Sequence, residues 1–515
     1  MDSRNGEKQS PRASGILAHP TSLPGPHGIG DLGGDAYRFV DYLASAKQRI
    51  WQILPLGRPG LGYSPYAALS AFAGNPLLVS LERLADQGLL SGADLAGAPP
   101  FREDFVDYAA VETYKLPRLW RAYERFVAAA PPRLRAEFAA FQERQRRWLA
   151  DFALYVALKD AHGGAAWNTW EPELAKRRPE ALAEARERLA WSVGAAEFQQ
   201  FQFFRQWGEL KTYANERGIR ILGDIPIFIA YDSADVWANQ ELFHLDDEGR
   251  PTVVAGVPPD IFSATGQRWG NPLYRWDKLR ETGYAWWIER LGQTLELVDL
   301  IRVDHFRGFE AYWEVPASAP TAESGRWVKG PGAELFVAAT QRLGPLPIIV
   351  EDLGLITDGV VALREELGYP GMKVLQFAFG DDARNQYLPH NYTRDFLVYT
   401  GTHDNDTTRG WFAKLPARHR ENVLRYLGTD GHDVTWDLIR LALMSVAEKA
   451  VFPLQDVLDL GSEARMNYPG RADGNWRWRV RAEQLRPDVA ARLADLTVCY
   501  GRDRSHVSLA DARAV

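Results

Sequence analysis

Short apolar runs, rich in Ile, Val, Leu and Phe and bounded by Gly, Pro or Asp, recur along this chain between longer stretches of helical period. In order they are Gly15–Pro20, Ile50–Leu56, Arg220–Ile229, Leu300–Phe306, Leu346–Leu353, Lys373–Phe379, Phe396–His403 and Val451–Leu458. Continuous runs predict strands covered on both faces, and their alternation with helices predicts parallel βαβ units. Eight such units predict an α/β fold of the (β/α)8 TIM-barrel class. The spacing is uneven. Roughly 160 residues separate the second and third runs, far more than one βα unit needs. Within them Phe138, Phe141, Trp148, Phe152 and Tyr155 recur at helical steps, with Arg144, Arg146 and Arg147 on the other side. Residues 82–200 are therefore expected to form a mainly helical insertion, and 230–297 a loop-rich one carrying turn signals such as GVPPD. Both lie within a barrel expected over 14–500. A polar leader (1–13), expected to be disordered, and a polar C-terminal tail (501–515) flank it.

Polar residues fall where such a barrel would use them. Asp224, Asp304, Glu351 and Asp404 each lie at or just past the C-terminal end of an apolar run. In a (β/α)8 barrel those ends converge on one face, where active sites sit. An isolated Asp there more often caps the following turn. Four acids at four strand ends, three with Arg or His close in sequence, are harder to explain by capping.

Composition changes the picture in three places. The 60 basic and 67 acidic residues leave a net charge of −7 with no long basic run, which argues against nucleic-acid binding. A single cysteine, Cys499, excludes a disulfide framework or a multi-cysteine metal site and suits a reducing, cytoplasmic setting. There is neither an apolar stretch of membrane-spanning length nor a secretory h-region at the N-terminus, so no membrane association is expected. The aromatic fraction, 12% with 18 Trp, exceeds ordinary use. Most of it suits a large aromatic core. Tyr63, Tyr66, Trp269, Tyr274 and Trp276, however, fall in predicted loops, where rings can stack on sugar faces.

Four motifs carry candidate chemistry. In Arg302-Val303-Asp304-His305-Phe306, strand alternation places Arg302 and Asp304 on one face. A neighbouring Arg favours the anionic form that a carboxylate nucleophile needs, although a purely structural ion pair reads the same way. Glu351-Asp352 ends the next run and offers a carboxylic acid whose pKa a desolvated site would raise. Periodicity does not separate the two, because both faces of a barrel strand are buried. His403-Asp404-Asn405-Asp406 resembles the start of a calcium loop but lacks its remaining ligands and glycine, so a sugar-binding carboxylate and histidine are favoured. Gly28-Ile29-Gly30-Asp31-Leu32-Gly33 matches a dinucleotide fingerprint. Pro20, Pro24 and Pro26 spoil the required turn, and the second strand ends in Pro55-Leu56-Gly57 with no acidic residue.

Longer stretches match a known family: GYSPY (62–66), SAFAGNP (70–76), GDIPIF (223–228), VPPDIFSATGQRWGNP (257–272), RVDHFRGF (302–309), VEDLG (350–354), GTHDNDT (401–407) and RMNYPG (465–470) with NWRWR. From about residue 14 to 500 the chain resembles the 4-α-glucanotransferases (amylomaltases or disproportionating enzymes), α-amylase relatives of glycoside hydrolase family 77. The resemblance implies a (β/α)8 barrel with large insertions and no C-terminal β-domain. It implies transfer of an α-1,4-glucan segment to the 4-hydroxyl of glucose or another glucan by a retaining double displacement. The alternative is a retaining α-glucan hydrolase on the same site. By resemblance Asp304 is the nucleophile, Glu351 the acid/base and Asp404 the third carboxylate. Arg302, His403, Asp224 and Trp269 line the central subsite, and Tyr63, Tyr66, Gln267, Asn271 and Asn467 complete the expected substrate-binding set. No metal or organic cofactor is implied. The expected partners are α-1,4-glucans and maltooligosaccharides, with the chain a monomer or weak dimer. Val257–Gly270 is the expected covering loop, and it departs from close relatives by carrying Ile261, then Phe262, where an aromatic often follows VPPD.

Overall fold

The computed structural model describes residues 12–259, 263–471 and 473–503. Strands β1 (Ala13–Leu17), β2 (Ile50–Gln52) and β3 (Arg220–Pro226) come first. Then follow β4 (Val253–Val257), β5 (Gln267–Pro272), β6 (Leu300–Asp304), β7 (Ala311–Pro316) and β8 (Arg326–Lys329). The last four are β9 (Ile348–Val350), β10 (Gly371–Val374), β11 (Phe396–Tyr399) and β12 (Lys449–Pro453). Eight of them, in the order β10-β11-β12-β1-β2-β3-β6-β9, form one parallel sheet that coincides with the eight apolar runs. The chain folds as a nearly closed (β/α)8 barrel. At the seam between β9 and β10 the Val350 N–H donates to the Pro370 carbonyl at 2.9 Å, and the Met372 N–H donates to the Asp352 carboxylate at 2.7 Å.

Burial on two faces explains the unbroken apolar runs. Leu17, Leu222, Leu300, Ile349, Val374, Leu397 and Val451 pack together inside the barrel. Their neighbours Ile16, Ile221, Ile301, Ile348, Val398 and Phe452 join a separate core beneath the helices. Among the described residues no strand follows β12, so a C-terminal β-domain is absent there.

Between β2 and β3 lie the helices Tyr108–Ala129, Pro132–Arg144, Arg146–Ala161 and Ala190–Glu216, among shorter ones. The single aromatic stripe of the sequence runs over two of them, broken at Gln145 (φ −99°, ψ 10°). The buried Gln145 amide explains the break: it accepts from Trp148 Nε1 at 2.7 Å and donates to Glu296 at 3.0 Å, so the chain turns around it. The 230–297 stretch, expected to be loop-rich, holds β4, β5 and the helix Ala285–Leu297 among its connecting segments. Strands β4 and β5 join β7 and β8 in an antiparallel sheet, β5-β4-β7-β8. This sheet thus draws on the segments that follow both β3 and β6. Ile261 and Phe262 lie outside the described residues.

Both ends reach further into the fold than their polarity implies. Ala13, placed with the leader, opens β1, and Arg12 donates to the carbonyls of Tyr500, Leu443 and Ser445. Arg502, placed with the tail, is fully buried. Its guanidinium donates to six carbonyls, those of Ala13, Ala442, Leu443, Ser445, Ala447 and Glu448, and burial pushes its pKa down to about 9. Residues 1–11 and 504–515 lie outside the described residues. Arg502→Met leaves these carbonyls without a buried donor and is expected to cost about 3–5 kcal/mol. The midpoint of urea unfolding should fall accordingly, with specific activity per folded molecule unchanged.

Candidate active site

Strand parity builds the site from the barrel interior upward. Asp224 follows Leu222 by two residues on β3, and Arg302 and Asp304 follow Leu300 by two and four on β6, so all three point inward at the C-terminal end. Asp224 and Arg302 are register partners on adjacent strands. Arg302 Nη1 lies 2.7 and 2.6 Å from the two Asp224 carboxylate oxygens, and its Nη2 lies 2.9 Å from Asp304 Oδ1. Burial alone would lower the pKa of this guanidinium, but Asp224 and Asp304 outweigh it and hold it well above its ordinary value. One cation thus orients two carboxylates.

The same parity separates Glu351 from Asp352. Ile349 faces the barrel interior, so Glu351 does too, and Asp352 turns outward to the β9/β10 seam. β6 and β9 pair with Arg302 opposite Ile349, which extends to Asp304 opposite Glu351. The Glu351 carboxyl accepts the His305 N–H at 2.7 Å and the Leu353 N–H at 3.2 Å. Burial, with the nearby charge of Asp304 second, pushes its pKa up to about 8. This carboxyl keeps its proton at neutral pH.

Across the mouth, Tyr66 Oη lies 2.8 Å from Asp224 Oδ2 and 2.9 Å from His403 Nε2. Burial and then Asp224 hold the phenol well above its ordinary pKa, so it keeps one proton. That proton goes to the carboxylate, which leaves His403 Nε2–H as the donor to Tyr66 Oη. Asp404 Oδ1 lies 3.4 Å from His403 Nε2 and accepts from Asn467 Nδ2 at 2.6 Å, while Arg465 donates to the Asp404 carbonyl at 2.6 Å. Asp404 is half-exposed, unlike the deeper pair.

The loop aromatics divide. Trp269 on β5 is 40% exposed and meets the His305 ring edge-to-face at 4.8 Å, directly beside Asp304. Gln267 accepts from Trp269 Nε1 at 3.1 Å, and Asn271 donates to the Ile229 carbonyl at 2.8 Å. Tyr63 stacks on Tyr108 at 4.2 Å. Tyr274 and Trp276 are buried instead, in an aromatic core with Trp286 and Trp287, and the Tyr274 hydroxyl donates to the Ile227 carbonyl. They are not available to a sugar. Proximity to loops in sequence did not distinguish a ring folded back under the barrel rim.

Two motifs dissolve on inspection. Asn405 accepts from Thr402, and Asp406 binds Lys414 and Ser462, so the calcium-like run points in different directions. In the glycine-rich stretch, Asp31 is buried against Lys115 at 2.8 Å, and Gly30 has no room for a side chain against the Pro20 carbonyl. These glycines serve close packing rather than phosphate contact. His305, Arg465 and Trp476 also belong to the site, although the motifs that contain them do not single them out. His305 has φ 51°, a half-turn that aims its backbone N–H at Glu351, and its Nε2 is buried without a partner among the described residues. Burial pushes that imidazole down to about 4, so it is neutral. Trp476 packs against both Tyr66 and His403.

A (β/α)8 barrel with an Arg-held carboxylate, a protonated carboxylic acid and a third acid at the C-terminal ends of its strands defines the class of barrel enzymes that act on glycosidic bonds through carboxylates. The family model for 4-alpha-glucanotransferase matches residues 18–484. The chain belongs to that family. It is 55% identical over 491 residues to the 4-alpha-glucanotransferase of Thermus thermophilus, covering 94% of this chain and 97% of that one. It is 52% identical over 499 residues to that of Synechocystis, covering 96% and 99%. Among solved structures it superposes on the amylomaltase of Streptococcus agalactiae in complex with acarbose with a TM-score of 0.93 at 39% identity, covering 95% and 99%.

Proposed function

We propose that the three carboxylates transfer α-1,4-glucan segments by double displacement, with Asp304 as nucleophile and Glu351 as acid, then base. The observation that carries this reading is the β6/β9 register, which sets Asp304 opposite Glu351 on strands about 4.8 Å apart. That suits the roughly 5–5.5 Å carboxyl separation of retaining enzymes better than the wider gap that an inverting enzyme leaves for water. In the first step the Asp304 carboxylate attacks the anomeric carbon as Glu351 gives its proton to the departing glycosidic oxygen, leaving a β-glycosyl ester. In the second, Glu351 takes the proton of the acceptor 4-hydroxyl, whose oxygen displaces Asp304 and restores the α bond. Asp404 and His403 would hold hydroxyls of the distorted ring. The buried Nε2 of His305, without a partner among the described residues, is a further candidate to meet a sugar hydroxyl, and Trp269 beside it offers a stacking face.

A glucan acceptor outcompetes water only if it is held in place, where effective molarities reach about 10⁵ M or more. Incubation with maltotriose tests the reading directly. Glucose and a ladder of longer oligomers are expected; shorter sugars alone would establish hydrolysis instead. Maltooligosaccharides are the proposed substrates because the carboxylates stand beside the exposed ring of Trp269 and the chain belongs to the 4-alpha-glucanotransferase family. No described helix is long and apolar enough to cross a membrane. A cytoplasmic setting is proposed on the single exposed cysteine, Cys499.

A further inference from the structure

The barrel is closed by seven parallel ladders, and the eighth junction, β9 to β10, is made differently. One backbone bond crosses it, from Val350 N–H to the Pro370 carbonyl at 2.9 Å. The next rung is a side chain: Asp352 Oδ1 accepts the Met372 N–H at 2.7 Å. Gly371 makes room for it, since a Cβ there would sit 2.4 Å from Asp352 Oδ2. We propose that Asp352 is a positioning residue for the acid/base carboxyl: it latches the open seam of the barrel and places a fixed negative charge behind Glu351.

This rests on Glu351 being the acid/base, as proposed above. Asp352 is the next residue in the chain, so its latch determines where the end of β9 stands, and with it the Glu351 backbone that accepts the Phe306 N–H at 3.2 Å. The charges around the pair are few. Arg302 and Asp304 face Glu351 from β6. Arg364, from the helix Asp358–Leu367, lies 3.5 Å from Asp352 Oδ2 and also binds Asp395 at 3.0 Å. Lys373 faces Asp352 from β10, and the Tyr387 phenol, pushed up to about 12 by burial, lies in the field of both carboxyls. Asp352 itself is pushed up to about 6 by burial, below Glu351 at about 8. It is therefore ionised wherever Glu351 loses its proton, and its charge opposes that loss.

The test is the pH dependence of kcat/KM for maltotriose in the full chain. Activity should fall at high pH as Glu351 ionises. Asp352→Asn keeps an oxygen for Met372 N–H but removes the charge, so the basic limb should move to lower pH by about 0.5 unit or more. Asp395→Asn removes a second carboxylate partner of Arg364, which keeps Glu365 at 3.8 Å, and should leave the limb where it is. Asp352→Glu keeps the charge but cannot fit the latch against Gly371; it should keep the wild-type limb and lower kcat by about tenfold. An unmoved limb in Asp352→Asn, or an equal shift in Asp395→Asn, overturns the proposal. Should Asp352→Asn fail to fold, Asp352→Glu decides, and a wild-type kcat there overturns it. Failure of the underlying assignment reads differently: Glu351→Ala would then lose activity equally on maltotriose and on α-maltosyl fluoride, whose leaving group needs no acid.

Discussion

Asp304→Asn should reduce maltotriose turnover by about 10⁴-fold or more, with binding of maltooligosaccharides changed by less than about tenfold. The amide fills the same space and keeps an oxygen toward Arg302, but it lacks the anionic electron pair that forms the glycosyl ester. Because the covalent step is lost outright, kcat should fall while the stacking and hydroxyl contacts that hold the sugar persist. The fold should tolerate the change. Arg302 remains bound to Asp224 through both carboxylate oxygens, so no buried cation is left alone. Removing one of two acids that share a single arginine also relieves the like-charge repulsion between Asp304 and the buried Asp224. The thermal midpoint of Asp304→Asn is therefore expected at or above that of the wild type. Retained turnover would remove Asp304 from the chemistry, and a large drop in midpoint would make its role structural. Product ladders, sugar-binding calorimetry and a melting curve on one preparation separate these outcomes.

Legibility from sequence followed the physics of burial. Barrel strands are covered on both faces, so Arg220–Ile229 and Leu300–Phe306 read as unbroken apolar runs, and polar residues at their ends were conspicuous by contrast. The same double burial hid the difference between Glu351 and Asp352. Inward and outward positions are equally apolar along β9, so only the packing partners of Ile349 and Val350 reveal which acid faces the site. Arg502 was unreadable for the opposite reason. A charged residue near a chain end looks solvated, and its burial depends on carbonyls from six residues far away in sequence. Tyr274 and Trp276 show a third limit: a ring in a connecting segment folds back or faces out according to tertiary packing. His305 sat in view within its motif, but its role depends on a positive φ that a non-glycine residue adopts only under constraint.

Glu351→Ala should lose about 10³-fold or more on maltotriose but less than about tenfold in the first step with α-maltosyl fluoride. The difference lies in the leaving group. A sugar alkoxide needs the proton that a carboxyl with a pKa near 8 still holds at neutral pH, whereas fluoride departs without one. The second step should then stall, because no base remains to take the acceptor proton, and the β-glycosyl ester on Asp304 should accumulate and be visible by mass spectrometry. Azide needs no base; it should restore turnover and give the α-configured glycosyl azide, the product of two inversions. The stability of this variant carries its own pH signature. Glu351 in the folded chain has its pKa raised from 4.5 to about 8, so the folded state holds a proton that the unfolded chain releases. Its contribution to stability is greatest below about pH 4.5 and is lost as pH rises toward 8. Glu351→Ala lacks that loss, so its stability relative to the wild type should grow across the same window. A constant difference from pH 5 to 8 would show that the carboxyl titrates normally, and would leave the enzyme without a group able to protonate the departing chain.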